Sequence, residues 1–262
     1  PEVVAVYLTG RLNPGVGPHD VALALVGATY ANGYVKNKVM EFVGPGVAGL
    51  SADCRNAIDC MTTETTCWSS IWQTDAVTEE YLAGHGRPEA YRPLAPADVA
   101  YYDGCIELDL SSVECMIALP MHPSYAYPIR ALQQDPYTIL KEAEDRANEQ
   151  LSGKVHMDLV SKIGKDGKIH VDQGIVAGCS GGTYESLCAV ADILRGKSCG
   201  NGEFKFSAYP DSMPTYLELV KNGAVADIVS AGGIFRESFC GPCFGAGDTP
   251  ANGEFSIRHT TR

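Results

Sequence analysis

Short apolar runs that stop at glycine, each followed by a stretch of helical character, constrain this chain more than any other feature. Val3 to Leu8 is continuously apolar and ends at Thr9-Gly10, and Val39 to Val43 is closed by Gly44-Pro45-Gly46. A strand that is apolar on both faces has to be covered on both, which fits a buried strand better than a half-solvated, alternating one. Between these runs a helix is expected to start at the cap Asp20 and stop at Asn32-Gly33, with Val21, Ala24, Leu25 and Ala28 on one face. A second helix is expected after Ser51. It leads into Met61-Thr62-Thr63-Glu64-Thr65-Thr66, where helix propensity weakens and a loop or strand is expected. The alternation predicts an α/β layered architecture.

Gly84, Gly86, Pro88, Pro93 and Pro96 break any regular pattern over residues 84–98, which reads as a long connection. A strand from Cys105 to Leu110 follows, and then Pro120, Pro123 and Pro128 suit an extended crossing between domains. The expected boundary falls near residue 118. It gives domains 1–118 and 119–262, each long enough to bury its own core. In the second, Asp135 as cap, Pro136 at the first helical position and Gly153 past the end frame a helix with Leu140, Ala143, Ala147 and Leu151 on one face. Lys165-Asp166-Gly167-Lys168 reads as a hairpin turn.

A net charge of -12 argues against an electrostatic grip on nucleic acid or anionic lipid. No apolar run approaches the roughly 20 residues that span a bilayer. The N-terminus carries neither a basic region nor a cleavage site, so the chain reads as cytosolic. A start at Pro1 inside a strand-like run and an equally abrupt end at Arg262 read as an excised segment.

Ten cysteines in 262 residues are too sparse for a small disulfide scaffold, which favours reduced thiols or metal ligands. Gly174 to Gly178 is a short buried-strand signal, and Thr183 to Arg195 is helical, with Leu187, Val190, Ala191 and Leu194 on one face. Cys179 therefore falls between a strand's carboxyl end and a helix's amino end, where open α/β sheets place ligands and unpaired N–H groups favour a thiolate. The same punctuation recurs. A helix from about Pro214 stops at Asn222-Gly223, a strand is expected from Ala226 to Ala231, and Cys240-Gly241-Pro242-Cys243 comes soon after Gly232-Gly233. Two cysteine sites are thus expected to meet at the carboxyl edge of one sheet.

Residue types alone leave several readings of these thiols open. Cys-Gly-Pro-Cys also occurs in thioredoxin-type redox pairs, which need a helix starting at the first Cys; Phe244-Gly245-Ala246-Gly247-Asp248-Thr249-Pro250 argues against one here. Structural zinc asks for four ligands in paired spacings, and no second Cys-x-x-Cys exists. Burial as a small hydrophobe is the plain alternative and suffices for Cys188 in the middle of a helix, and Cys54, Cys67, Cys105, Cys115, Cys188 and Cys199 are expected to be dispensable as ligands.

The segment Gly178-Cys179-Ser180-Gly181-Gly182-Thr183-Tyr184-Glu185 resembles the Cys-Thr-Asn segment of the aconitase family. Ala231-Gly232-Gly233 through Cys240-Gly241-Pro242-Cys243-Phe244-Gly245 resembles its Cys-x-x-Cys segment, in the same order and at a similar separation. Val43-Gly44-Pro45-Gly46-Val47, Met61-Thr62-Thr63-Glu64, Ile106-Glu107-Leu108-Asp109-Leu110-Ser111 and Ser256-Ile257-Arg258-His259-Thr260-Thr261-Arg262 extend the likeness along nearly the whole chain. On these motifs the chain is identified as a member of the aconitase and isopropylmalate dehydratase large-subunit family of iron–sulfur hydro-lyases, central domains only.

The resemblance implies two three-layer α/β/α domains and a [4Fe–4S] cluster held by Cys179, Cys240 and Cys243, with one iron open to a hydroxy polycarboxylate substrate. It implies that Glu64 handles a proton near the iron-bound water or hydroxyl and that Arg262 binds a substrate carboxylate. It also implies N-terminal and swivelling C-terminal domains as missing partners, so that this segment alone is expected to be inactive. A cluster-free RNA-binding regulator is the alternative the family allows, against the acidic charge; a structural zinc or apo α/β module is the other. Three positions depart from the family's usual Asn: Cys60, Gly181 and Thr261. They leave the identity of the hydroxy acid open.

Overall fold

The computed structural model describes residues 1–200 and 202–261. The first apolar run forms β1 (Val3–Thr9), in which Val4, Val6 and Leu8 are fully buried. Next come α1 (Pro18–Thr29), β2 (Val39–Val43), α2 (Ala52–Thr62), β3 (Ser69–Trp72), α3 (Ala76–Gly84), β4 (Gly104–Asp109) and an antiparallel pair, β5 (Met116–Ala118) with β6 (Ala126–Pro128). The first sheet is parallel, in the order β3-β2-β1-β4. Its register sets Val6 between Phe42 and Ile106. Val21 and Leu25 of α1, Ile58 of α2 and Leu110 close its core. Full burial of side chains of this size stabilises by about 1.5–3 kcal/mol each.

Several helix signals shift when the chain folds. Gly17, not Asp20, caps α1: Pro18 takes the first helical position, and Asp20 lies in the first turn, where its carboxylate accepts from Gly17 N at 2.7 Å and Met116 N at 2.6 Å. Ala28 is exposed rather than buried. α1 is instead covered a second time, because Ala22 and Leu23 pack with Met61 beside β5 and β6. Ser51 caps α2 as expected, accepting from Cys54 N. The helix continues through Thr62, and a 3-10 turn over Thr63–Thr65 carries Glu64.

The chain forms two compact units, one of residues 1–118 and 123–129, the other of residues 119–122 and 130 onward. The second holds α4 (Ile129–Gln134), whose first residue belongs to the first unit, α5 (Pro136–Leu151), β7 (Gln173–Val176), α6 (Gly178–Gly181), α7 (Tyr184–Leu194) and β8 (Lys205–Ala208). It continues with α8 (Met213–Lys221), α9 (Ala224–Ser230), β9 (Ile234–Phe235), α10 (Gly241–Phe244) and β10 (Ser256–His259). Asp135 caps α5 by accepting from Thr138 N, and Leu140, Ala143 and Ala147 are fully buried. The turn at Lys165–Lys168 closes with Gly164 N donating to Lys168 O at 2.8 Å and an Ile163–Ile169 bridge.

The second sheet is also parallel, in the order β10-β7-β8-β9. Leu187 and Ala191 of α7, Leu219 of α8, and Ala224 and Ile228 of α9 form its core with Ala208. The expected strand from Ala226 to Ala231 is in fact the helix α9. Gly223 in the left-handed region (φ +87) ends α8 and starts it, and Ala224 and Ile228 are buried at i and i+4. The strand comes after Gly232-Gly233, as β9. Both units are therefore mixed α/β, with parallel sheets flanked by helices. Among the described residues no helix is long and apolar enough to cross a membrane.

Candidate functional site

In the second sheet, successive connections carry β7 to β8 and β8 to β9 in one direction, and then the chain returns to place β10 on the other side of β7. Such a reversal opens a crevice beyond the carboxyl ends of the two strands that flank it, β7 and β10, the usual ligand position in open α/β sheets. Residues following β7 and β10 line it. After β7 comes Ala177 and the short turn α6, with Cys179 exposed and Ser180 fully buried. After β10 come Thr260 and Thr261, both buried.

Two glycines make the turn possible. Gly178 lies in the left-handed region (φ +82), and a Cβ there would collide with Cys243 Sγ. A Cβ on Gly181 would overlap the His259 carbonyl oxygen. This gives the Gly181 departure a physical cause in this chain: α6 lies directly on the end of β10, leaving no room for an Asn side chain. Ala177 N donates to His259 O at 3.1 Å and joins the two strand ends.

Thr261, the second departure, has its Oγ1 3.1 Å from Ser180 Oγ and 3.8 Å from Cys179 Sγ. A hydroxyl can donate to sulfur there, as an Asn amide would. His259 is held largely neutral, because burial lowers its pKa to about 4.

Cys243 reaches the same place from α10. It is buried, whereas Cys240, one residue before the helical turn, is exposed. The sequence argued against a helix here. One turn does form, and Gly245 in the left-handed region (φ +81) ends it after Phe244. The structure thus packs the Cys243 thiol against the residue next to Cys179 and leaves Cys240 at the surface. Among the described residues, no three His, Cys, Asp or Glu side chains stand together as a preformed metal-holding group.

Glu64 is in the first unit, on the turn after α2, and is buried rather than solvated. Cys60, one turn earlier on α2, is half-buried, and its carbonyl accepts from Thr63 Oγ1 at 3.2 Å. Arg262 lies outside the described residues. Sequence reasoning passed over Ser180 and His259. A buried serine and a histidine at a strand end carry no signal until the strands are paired.

The entire chain, residues 1–262, matches the model of the aconitase family (aconitate hydratase), and the protein belongs to that family. It is 29% identical over 245 residues to the large subunit of 2,3-dimethylmalate dehydratase from Eubacterium barkeri, covering 94% of this chain and 50% of that protein. It is 27% identical over 263 residues to the large subunit of 3-isopropylmalate dehydratase from Clostridium kluyveri, covering 100% of this chain and 54% of that protein. The chain thus spans about half the length of the curated relatives it matches. Among solved structures, the holo form of aconitase X from Thermococcus kodakaraensis aligns with 99% of this chain and 48% of its own, at 11% identity and a TM-score of 0.48.

Proposed function

We propose that this chain is the cluster-holding part of a hydro-lyase that reversibly removes water from a hydroxy polycarboxylate, with Cys179, Cys240 and Cys243 as ligands of a [4Fe–4S] centre. The observation that carries this reading is the Cys243 thiol packed against Gly178, beside the exposed Cys179, at the switch point of the second sheet. The donor set fits such a group. Three thiols are soft ligands of the kind that bind iron–sulfur clusters, and Thr261 Oγ1 stands within reach of the Cys179 sulfur. A cluster held by three protein thiolates has one iron free and, when bound, supplies a Lewis acid for a substrate hydroxyl.

The chain's own residues have the remaining roles. Glu64, a buried carboxylate, is assigned to proton transfer at the substrate or water oxygen. Arg262 is assigned to a substrate carboxylate, which its planar fork suits. The relatives' names, dimethylmalate and isopropylmalate dehydratase, support a hydroxy dicarboxylate as the substrate class. Those relatives are large subunits twice as long as the matched region, so turnover is assigned to an assembly that includes further domains or a further polypeptide.

The test is anaerobic reconstitution of the 262-residue chain with iron and sulfide, followed by iron and sulfide analysis and visible absorption. Cluster uptake without turnover of hydroxy dicarboxylates is the expected result, with activity appearing when the remaining domains are supplied. Failure to take up iron, or zinc bound in its place, would refute the cluster assignment. Robust turnover by the lone chain would show that the carbon base lies within these residues.

A further inference from the structure

α10 is too short to hold its own shape. An isolated helix of fewer than about 12 residues is marginal in water, and α10 has four. The segment that follows it, residues 245–255, forms no strand or long helix and contains three glycines in the left-handed region, Gly245, Gly247 and Gly253. Ordering such a segment costs conformational entropy that local structure does not offset. The position of Cys243 must therefore come from bonds to the rest of the second unit.

Those bonds form one continuous polar chain. Asp248, in the loop beyond α10, accepts from Gln173 Nε2 at 3.0 Å with one carboxylate oxygen and from Tyr209 Oη at 2.9 Å with the other. Gln173 and Tyr209 are 1% and 3% exposed. Gln173 Oε1 in turn accepts from Ser256 Oγ at 2.7 Å, and Ser256 Oγ accepts from Arg258 Nε at 3.2 Å. Arg258 Nη1 then donates to the Pro242 carbonyl at 2.6 Å, inside the Cys240-x-x-Cys243 turn itself. Burial and the bond to Asp248 push the Tyr209 pKa up to about 12, so its hydroxyl keeps its proton and remains a donor. The cysteine-bearing turn is thus tied to the sheet on both sides, through β10 before Cys243 and through β7 and the end of β8 after it.

We infer that Asp248 and Arg258 are positioning residues, which hold the Cys243 thiol against Gly178 in the protein without any cluster. The inference rests on the reading of Cys243 as a ligand, and it extends that reading to residues with no thiol of their own. A turn fixed in advance presents its ligand without having to order the loop at the moment of binding. The bonds to Pro242 O and Asp248 involve charged partners and are of the stronger kind.

The experiment needs no metal. In the reduced apo chain, native-state alkylation of each cysteine is followed by mass spectrometry, with Cys188 on α7 of the same unit as internal reference. The wild type should label Cys240 fast and Cys243 slowly. Asp248→Ala and Arg258→Met should each speed Cys243 labelling roughly tenfold, a factor that corresponds to about 1.4 kcal/mol, with Cys188 unchanged. Arg258→Lys, which still donates to a carbonyl, should recover part of the protection. Tyr209→Phe removes a single donor and keeps the ring, so it tests the idea even if the larger changes loosen the whole unit. Equal acceleration of Cys188 and Cys243 in every variant, Tyr209→Phe included, would overturn the inference, because the residues would then serve only the stability of the sheet. Unchanged Cys243 labelling would overturn it as well. If the wild type takes up no iron on reconstitution, the proposed function fails while these rates still decide the positioning role.

Discussion

The two units share a strand order and differ in what they place at the same point. Numbered within each unit, both sheets run third-second-first-fourth, so both have their reversal between the first strand and the fourth. Each first strand is followed by a left-handed glycine, Gly10 with φ +66 and Gly178 with φ +82. In each case the missing Cβ makes room for a polar atom: Asp109 Oδ1 in the first unit, Cys243 Sγ in the second. Asp109 uses that oxygen locally, accepting from Ser111 N at 2.9 Å and Ser111 Oγ at 2.7 Å, so it closes a turn. Cys243 comes from a separate element and packs against Gly178, next in sequence to the exposed Cys179, whose sulfur lies 3.8 Å from Thr261 Oγ1. One topology supplies the same crevice twice, and the side chains brought to it decide whether it is a turn or a candidate ligand site.

The comparison breaks outright if cysteines of the first unit bind the metal. After reconstitution, Cys179→Ser, Cys240→Ser and Cys243→Ser should each lose essentially all bound iron, because two thiolates leave the cluster short of a ligand. Cys54→Ala, Cys67→Ala, Cys105→Ala and Cys115→Ala should retain it, as should Cys188→Ala and Cys199→Ala. Iron analysis of folded protein reads the outcome directly.

The two glycines offer a sharper contrast. Gly178→Ala and Gly10→Ala both force an L side chain into the left-handed region and into a neighbouring atom, so each should destabilise its unit by about 2–4 kcal/mol. Only Gly178→Ala should also change iron uptake and Cys243 labelling. Urea unfolding together with iron analysis separates the two effects. Equal loss of iron in both variants would mean that the crevices are not chemically distinct.

Much of this architecture is legible in the sequence. β1 is a continuous apolar run with a glycine stop, β2 and β7 also stop at glycine, and β4 alternates Ile106 and Leu108 with Glu107 and Asp109. α2, α5 and α7 begin at Ser51, Asp135 and Thr183, which accept from backbone N–H groups as caps should. α9 is not legible, because a seven-residue, mostly apolar stretch carries too few turns to tell a helix from a buried strand. α3 buries none of its residues and β3 only half-buries two of its four, so neither leaves a periodic signal. At the site, Cys179 and the Cys-x-x-Cys pair stand out by their punctuation. Asp248 and Arg258 do not: one reads as a turn residue and the other as a strand charge until folding joins them through Gln173 and Ser256.

Acid offers a smaller and reversible contrast between the units. The folded second unit keeps His259 neutral, with its pKa lowered from the ordinary 6.5 to about 4 by burial. The unfolded chain takes up that proton at higher pH, so the full stability is present above about 6.5 and is lost as pH falls toward 4. Allowing for partial exposure of the ring, the loss is about 2 kcal/mol. Both tryptophans, Trp68 and Trp72, lie in the first unit. On acidification, circular dichroism should therefore change before tryptophan fluorescence does, and His259→Gln should bring the two transitions closer. Coincident transitions in the wild type would remove the assigned difference.

The smallest expected effect concerns Thr261. Its hydroxyl lies 3.1 Å from Ser180 Oγ and 3.8 Å from Cys179 Sγ, and the residue is buried at the switch point. Thr261→Val keeps the shape and removes the hydroxyl, so it should cost about 1 kcal/mol, the usual net value of one hydrogen bond. Thr261→Ser keeps the hydroxyl and should cost less. Stability alone cannot separate a packing role from a role toward sulfur, whereas the potential of a reconstituted cluster can, because donors to sulfur tune it. Thr261→Val should lower the potential by removing a donor that favours the reduced, more negative cluster, and Thr261→Ser should leave it near the wild-type value. A Val variant with wild-type potential and reduced stability would assign Thr261 to packing alone and leave Cys179 without its hydroxyl neighbour's electronic influence. Both crevices would then have hydroxyls that serve structure only, as Ser111 does in the first unit.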